Sequence, residues 1–135
     1  MAKTFQNMVE EARQDVSPVS PEEAQHKIEQ NPNTLVVDVR EPSGIAETGS
    51  IPGSLNVPLG TLAIGADQQL PEEMRNAELQ DRSRPVITTC ALGGQATLAA
   101  KTLKDMGFTD VRFIEEGFKG WQEAGLPVEH RTTSG

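Results

Sequence analysis

The sequence is poor in cysteine and lacks any long apolar run. Only one cysteine occurs among 135 residues, which excludes an internal disulfide and is typical of a protein from a reducing compartment. No stretch of about 18 apolar residues is present, so no segment is predicted to span a membrane. The N-terminal residues MAKTFQNMVEEARQ also lack the apolar region of a secretory signal peptide. We therefore expect a cytoplasmic protein that does not interact with membranes.

Positively charged residues are also scarce, as are the cysteine and histidine ligands of zinc sites. The 12 Lys and Arg residues are outnumbered by 20 Asp and Glu residues, which gives a formal net charge of −8 at pH 7. Because nucleic acids and anionic membranes are bound through basic patches, this balance argues against both kinds of partner. Besides the single cysteine there are only two histidines, His26 and His130, which lie far apart in the sequence. We therefore expect no zinc or other metal site and no cofactor.

The apolar segments indicate one α/β domain. A chain of 135 residues matches the usual size of a single domain. Nearly continuous runs of β-branched and apolar residues predict strands that are buried on both faces of a parallel sheet. These predicted strands are 35–39, 85–89 and 111–114, with a short fourth strand at 55–57.

Helices are predicted between and after these strands. Ser20, Pro21 and Glu23 form a capping box with proline at the first helical position, so a helix is predicted over 21–30. Further helices are predicted over 95–106 and 118–124, each followed by a glycine that would end it. Residues 60–84 are predicted to be a long exposed connection containing one helical turn. Strands alternating with helices are typical of a mostly parallel sheet.

The N-terminus is predicted to form a separate amphipathic helix. Phe5, Met8, Val9 and Ala12 recur at the spacing of one helical face, and Thr4 is a suitable N-cap. Two interpretations stay open. The apolar face packs on the chain's own domain, or it docks a second subunit.

The single cysteine ends a predicted strand and begins a glycine-rich loop. Cys90 follows the strand PVITT and precedes the loop Ala91-Leu92-Gly93-Gly94-Gln95, after which a helix begins. Ligands of open parallel sheets bind beyond the carboxyl ends of the strands. Glycines that lead into a helix N-terminus turn backbone N–H groups inward and form a nest for an anion, and the helix dipole adds positive potential there. A thiol in that field is expected to be partly ionised at neutral pH, and the thiolate is the nucleophile.

The cysteine segment has three other interpretations. A lone cysteine is more often a buried and inert small residue, but the combination of strand end, glycine loop and helix start favours reactivity here. A loop for nucleotide phosphates is disfavoured, because the sequence has neither a Walker lysine nor a GxGxxG pattern. A catalytic pair of Cys90 with His26 or His130 stays open, although most histidines are surface or packing residues.

Three segments, in order along the chain, resemble signatures of the rhodanese family. The sequences DVRE at 38–41 and GSIPGSLNVP at 49–58 are similar to the family's N-terminal signature. The Cys90 loop is similar to the family's six-residue active-site loop. The sequence EGFKGWQEAGLP at 116–127 resembles the C-terminal signature G-x-x-x-W-x-x-x-G-x-P. Together these segments divide the chain into an N-terminal helix (1–15), a rhodanese-like domain (16–129) and a polar tail (130–135).

The resemblance implies both a fold and an activity. The fold is a three-layer α/β domain around a central, mostly parallel five-stranded sheet. The activity is that of a sulfurtransferase in which Cys90 takes sulfane sulfur from thiosulfate or a persulfide and passes it to a thiophilic acceptor. The outer sulfur would lie among the N–H groups of residues 91–95. Asp38 and Arg40 are expected to support the strand end through charge-assisted hydrogen bonds.

The expected partners are a small sulfur donor and acceptor, or the persulfide of a partner protein. The chain is expected to be a monomer or a homodimer. Two further functions stay open: a non-catalytic sulfur-relay or protein-binding module, and a cysteine-loop phosphatase or arsenate reductase. The phosphatase or reductase is the less favoured alternative, because that chemistry generally needs a wider loop closed by an arginine.

The sequence departs from the family pattern at three positions. Gln95 stands where the family often has an arginine that binds an anionic donor, and a neutral amide adds no charge. We therefore expect weak binding of thiosulfate and better use of a persulfide donor. Ser50 stands where histidine is usual, and Glu116 where glycine is frequent.

Overall fold

A parallel sheet of five strands forms the centre of the molecule. The computed structural model describes residues 2–130. The strand order across the sheet is β1-β5-β4-β2-β3, and every neighbouring pair is parallel. The strands are β1 (Ser17–Val19), β2 (Leu35–Asp38), β3 (Leu55–Asn56), β4 (Val86–Thr89) and β5 (Val111–Ile114). The predicted α/β fold with a central parallel sheet is confirmed.

The four strands predicted from apolar runs are confirmed to within one residue at each end. All four residues of β2 and of β4 are buried, as expected for the interior of a sheet covered on both faces. The residue pattern did not predict β1, which has only three residues and contains Pro18. It pairs with β5 alone, so it is an edge strand, where proline is tolerated.

Within residues 2–130, six helices and two short 3₁₀ turns surround the sheet. The predicted helix after Ser20 is confirmed, including its reciprocal capping box with Glu23. The helices are α1 (Phe5–Arg13), α2 (Pro21–Gln30), α3 (Pro42–Thr48), α4 (Leu59–Ala66), α5 (Gly94–Asp105) and α6 (Gly117–Glu123). The 3₁₀ turns are Glu72–Met74 and Ala77–Leu79.

The prediction of a long exposed connection over 60–84 is wrong in its first part. The segment LGTLAIGA forms α4, which buries Leu62 and Ala66 and packs against α5. No side chain caps its N-terminus, and the helix contains Gly60 and Gly65. These features removed the usual start signal and lowered the helix propensity of the segment.

Helices cover both faces of the sheet and give three layers. Two groups of buried side chains lie on opposite faces, because neighbouring strand residues such as Val36 and Val37 point in opposite directions. Helices α4 and α5 belong to the first face, and α2 and α6 to the second. Trp121 of α6 is fully buried, and its indole N–H donates to the carbonyl oxygen of Pro127 at 2.7 Å.

Helix α1 packs against α5, with Thr4 as its N-cap. Of the predicted apolar face, Val9 and Ala12 are buried, whereas Phe5 is 52% exposed and Met8 is 48% exposed. One half of the face thus packs on its own chain. The docking of a second subunit on the other half stays a prediction.

The C-terminal segment is held to the domain as far as residue 129. Glu129, the last residue of the predicted rhodanese-like domain, pairs with Ser50 in an antiparallel bridge. Residues 131–135 of that tail lie outside the described part of the chain. Within residues 2–130, none of the helices is long and apolar enough to cross a membrane.

Candidate active site

Cys90 lies directly after β4, with its sulfur enclosed by the first turn of α5. The residue is 2% exposed. The backbone N–H of Gly93 donates to its Sγ at 3.0 Å, and that of Ala96 donates at 3.2 Å. Both donors aim at one atom, an arrangement that would stabilise negative charge on the sulfur.

The sulfur also takes the place of a helix cap. Gly93 is the N-cap residue of α5 and has no side chain with which to bond the free amides of the first turn. Ala96 is the third residue of the helix, whose N–H a capping side chain normally satisfies, and the Cys90 sulfur accepts from it instead. Ala96 was not among the predicted N–H donors, which ended at Gln95, although it lies in the first turn of the predicted helix. Its only sequence signal is its position in that first turn.

Positive φ at Gly93 produces the tight turn of the loop. Its φ is +110°, a conformation that favours glycine. A Cβ atom at this position would also lie 3.3 Å from the backbone nitrogen of Glu116, so the loop and the segment before α6 are in close contact.

The N-terminus of α6 holds the outer side of the loop. The N–H of Phe118 donates to the carbonyl oxygen of Cys90 at 2.6 Å, and that of Lys119 donates to the carbonyl oxygen of Ala91 at 3.1 Å. Since the C=O and N–H of a planar trans peptide unit point in opposite directions, these bonds turn the N–H groups of Ala91 and Leu92 away from α6. The carbonyl oxygens, which would repel an anion, are thereby kept on the side of α6.

Gly117 makes this close contact possible. A Cβ atom at Gly117 would lie 2.5 Å from the Cys90 carbonyl oxygen and 2.9 Å from the Gly93 nitrogen. Its φ is +57°, and the preceding Glu116 also has a positive φ of +62°. The conformation of Glu116 is one that glycine adopts more easily, which gives a physical reason for the glycine that the family often has there.

Asp38 and Arg40 form a buried ion pair at the end of β2. Arg40 Nη2 lies 2.7 Å from Asp38 Oδ2, and the side chains are 7% and 0% exposed. The same guanidinium donates to Thr48 Oγ1 at 2.7 Å and to the Gly49 carbonyl oxygen at 3.0 Å. Its carbon lies 4.6 Å from the ring centroid of Phe118. These contacts connect β2, the end of α3 and the helix that holds the cysteine loop.

Three of the predicted loop residues, Ala91, Leu92 and Gln95, are exposed. Leu92 is 70% exposed at the tip of the loop, and Gln95 is exposed on the first turn of α5. Of the three departures from the family pattern, Ser50 is fully buried, and its hydroxyl has no hydrogen-bond partner among residues 2–130.

The two histidines lie on other parts of the fold. His26 is exposed on α2, and His130 lies beside Gly49. Within the described range, neither hydrogen-bonds the Cys90 sulfur, whose donors are the two backbone amides. No group of three or more His, Cys, Asp or Glu residues in that range is arranged to hold a metal ion.

Comparison with known proteins agrees with this architecture. The rhodanese-like domain model matches residues 20–124. The thiosulfate sulfurtransferase GlpE of Stutzerimonas stutzeri is 31% identical over 117 residues, which are 86% of this chain and 94% of that protein. The chain belongs to the rhodanese-like domain family, and the predicted family is confirmed.

Two solved structures share nearly the whole chain. A protein of unknown function from Rhodopseudomonas palustris, described as a possible tyrosine phosphatase, is 33% identical with a TM-score of 0.87, and the match covers 96% of each chain. The polysulfide-sulfur transferase homodimer of Wolinella succinogenes is 28% identical with a TM-score of 0.75, covering 96% of this chain and 89% of that one.

Proposed function

We propose that this protein is a sulfurtransferase that carries sulfane sulfur as a persulfide on Cys90. The observation that carries the proposal is the pair of backbone N–H groups, from Gly93 and Ala96, that converge on a buried cysteine sulfur. Such donors stabilise a thiolate before the reaction and an anionic persulfide after it. Family membership and a curated thiosulfate sulfurtransferase relative also support it.

The proposed reaction has two half-reactions. The Cys90 thiolate attacks the outer sulfur of the donor and forms an S–S bond, while the donor's own bond to that sulfur breaks. With thiosulfate, sulfite leaves with the bonding electron pair. An acceptor such as cyanide then attacks the outer sulfur, takes it as thiocyanate and returns the thiolate.

The donor is proposed to be a persulfide rather than thiosulfate. The loop offers no cation, because residues 90–95 have no cationic side chains and the last of them is the neutral Gln95. The nearby guanidinium of Arg40 is buried in an ion pair with Asp38. The net charge of −8 also disfavours the approach of a dianion. The expected partners stay a small donor and acceptor or a partner protein persulfide, and the expected state stays a monomer or a homodimer.

The same lack of a cation argues against phosphoryl transfer. The Rhodopseudomonas palustris protein is described as a possible tyrosine phosphatase. Charge that develops on a transferred phosphoryl group is normally stabilised by an arginine or a metal ion, and the Cys90 loop contributes only neutral groups. Sulfur transfer is therefore the function that we favour.

The test is a steady-state assay of thiocyanate formation with thiosulfate or glutathione persulfide as donor. We expect ping-pong kinetics, a higher kcat/KM for the persulfide and no turnover by Cys90→Ser. Hydrolysis of an aryl phosphate that requires Cys90 would contradict the proposal. Turnover that appears only when a partner protein is added would support a relay module.

A further inference from the structure

Helix α1 precedes the matched family domain but contacts the cysteine loop. The family model begins at residue 20, whereas α1 spans Phe5–Arg13. The Phe5 ring occupies the space that a side chain at Gly94 would fill. A Cβ atom on Gly94 would lie 2.8 Å from Phe5 Cζ and 2.9 Å from Phe5 Cε2, with Val9 Cγ2 at 3.7 Å.

The contacted residue lies inside the segment that holds the sulfur. Gly93 and Ala96 donate the two hydrogen bonds to Cys90 Sγ, and Gly94 lies between these donors in the chain. Another part of the loop is fixed by α6, whose Phe118 N–H donates to the Cys90 carbonyl oxygen. The loop is thus contacted by α6 at Cys90 and by Phe5 at Gly94.

Core packing does not explain why α1 carries a phenylalanine at position 5, because other residues of the helix make its buried contacts. Val9 and Ala12 fix α1 on α5, and both are at least nine-tenths buried. The Phe5 side chain is 52% exposed, so much of its apolar surface stays in contact with water. Its contact with the backbone of Gly94 is the feature that distinguishes it from Met8, which is similarly exposed at 48%.

We infer that Phe5 is a positioning residue for the cysteine loop, so that α1 contributes to the geometry of the active site. The ring restrains residues 93–96 and keeps their two N–H groups aimed at the sulfur of Cys90. The inference rests on the proposed function, because a loop ordered around an anionic sulfur matters only if that sulfur reacts. It assigns a role to a helix that lies outside the matched domain.

Replacement of Phe5 by alanine opens a gap beside Gly94 and frees the loop segment. We expect persulfide formation to slow about tenfold, less than the roughly hundredfold that a 1 Å misplacement of reacting groups can produce. The pH profile of Cys90 alkylation by iodoacetamide should move upward, because weaker hydrogen bonds from Gly93 and Ala96 stabilise the thiolate less. Phe5→Leu, which restores apolar bulk, should recover most of both losses.

Met8→Ala is the matched control, since it removes a similarly exposed side chain from the same helix. The pH profile of Cys90 alkylation in Met8→Ala should match that of the wild-type protein. A second test uses the close contact between Gly94 and the Phe5 ring. Gly94→Ala places a methyl group where the ring lies and so displaces it. Because Gly94→Ala and Phe5→Ala then disrupt the same contact, their effects on the alkylation rate should be clearly non-additive in the double variant.

The alkylation readout separates this inference from the proposed function. If the wild-type protein accepts no sulfur but Phe5→Ala still shifts the profile, the positioning role stands and the sulfur chemistry fails. Equal profiles for wild type and Phe5→Ala would overturn the inference. So would parallel shifts in Phe5→Ala and Met8→Ala that follow their thermal unfolding temperatures, since these would reveal a general loss of stability.

Discussion

Gly117→Ala is the substitution whose effect the structure specifies most closely. Two penalties combine at this position. The φ of +57° disfavours any residue with a Cβ atom, which costs about 1–2 kcal/mol. The new methyl group would also lie 2.5 Å from the Cys90 carbonyl oxygen and 3.0 Å from the Ala91 carbonyl carbon. These are backbone atoms, so no flexible side chain can move aside.

Overpacking of this kind adds roughly 1–3 kcal/mol, so the free energy of unfolding should fall by about 2–5 kcal/mol in total. Gly125→Ala is the matched control. Gly125 has a φ of +74°, but a Cβ atom there would meet nothing within 4 Å. That variant should therefore lose only the backbone contribution, about 1–2 kcal/mol.

The assay is urea unfolding followed by the fluorescence of Trp121, the single tryptophan of the chain. The difference between the two variants isolates the collision with the cysteine loop. Because the collision displaces the Cys90 carbonyl and the Gly93 amide, Gly117→Ala should also load sulfur more slowly, while Gly125→Ala loads it normally. Equal destabilisation of the two variants would refute the claim that α6 is in close backbone contact with the loop at Gly117.

Three further predictions concern charge. Asp38→Asn removes one partner of the buried pair with Arg40 and should lower the free energy of unfolding by about 3–5 kcal/mol in urea titrations, because a buried cation loses its counter-charge. Gln95→Arg should lower the KM for thiosulfate in the thiocyanate assay, and an unchanged KM would contradict the account of donor choice. The backbone N–H of Gln69 holds the pKa of Asp67 below its usual value of 3.8, so its contribution to stability is present above pH 3.8 and is lost as the pH falls through the lowered value. The free energy of unfolding of Asp67→Asn, measured by acid titration, should accordingly depend less steeply on pH below 3.8 than that of the wild-type protein.

The parts of the fold that were predicted from the sequence have strong local causes. Strands β2 and β4 are recognisable because burial on both faces favours nearly continuous runs of β-branched and apolar residues. Helix α2 was recognisable because Ser20 and Glu23 cap it reciprocally. By contrast, α4 has no capping side chain, and β1 has three residues that include a proline, so neither carries a local signal.

The candidate site was predictable in position but not in detail. The strand end and the glycine pair located Cys90 and its loop, and the family motifs singled out Asp38 and Arg40. The role of Ala96 depended on the exact residue at which α5 begins, which sequence patterns define poorly. The contact of Phe5 with Gly94 joins distant parts of the chain and depends on how α1 packs on α5. No pattern within either segment encodes that contact.

The most direct test of the central claim is the intact mass of the protein after exposure to a sulfur donor. Wild type and Cys90→Ser are each incubated with thiosulfate and, separately, with glutathione persulfide. We expect a gain of one sulfur, about 32 Da, in the wild-type protein only. Cyanide should remove this sulfur, and it should be loaded faster from the persulfide than from thiosulfate. Absence of added sulfur from both donors, or an equal gain in Cys90→Ser, would contradict the assignment of Cys90 as the sulfur carrier.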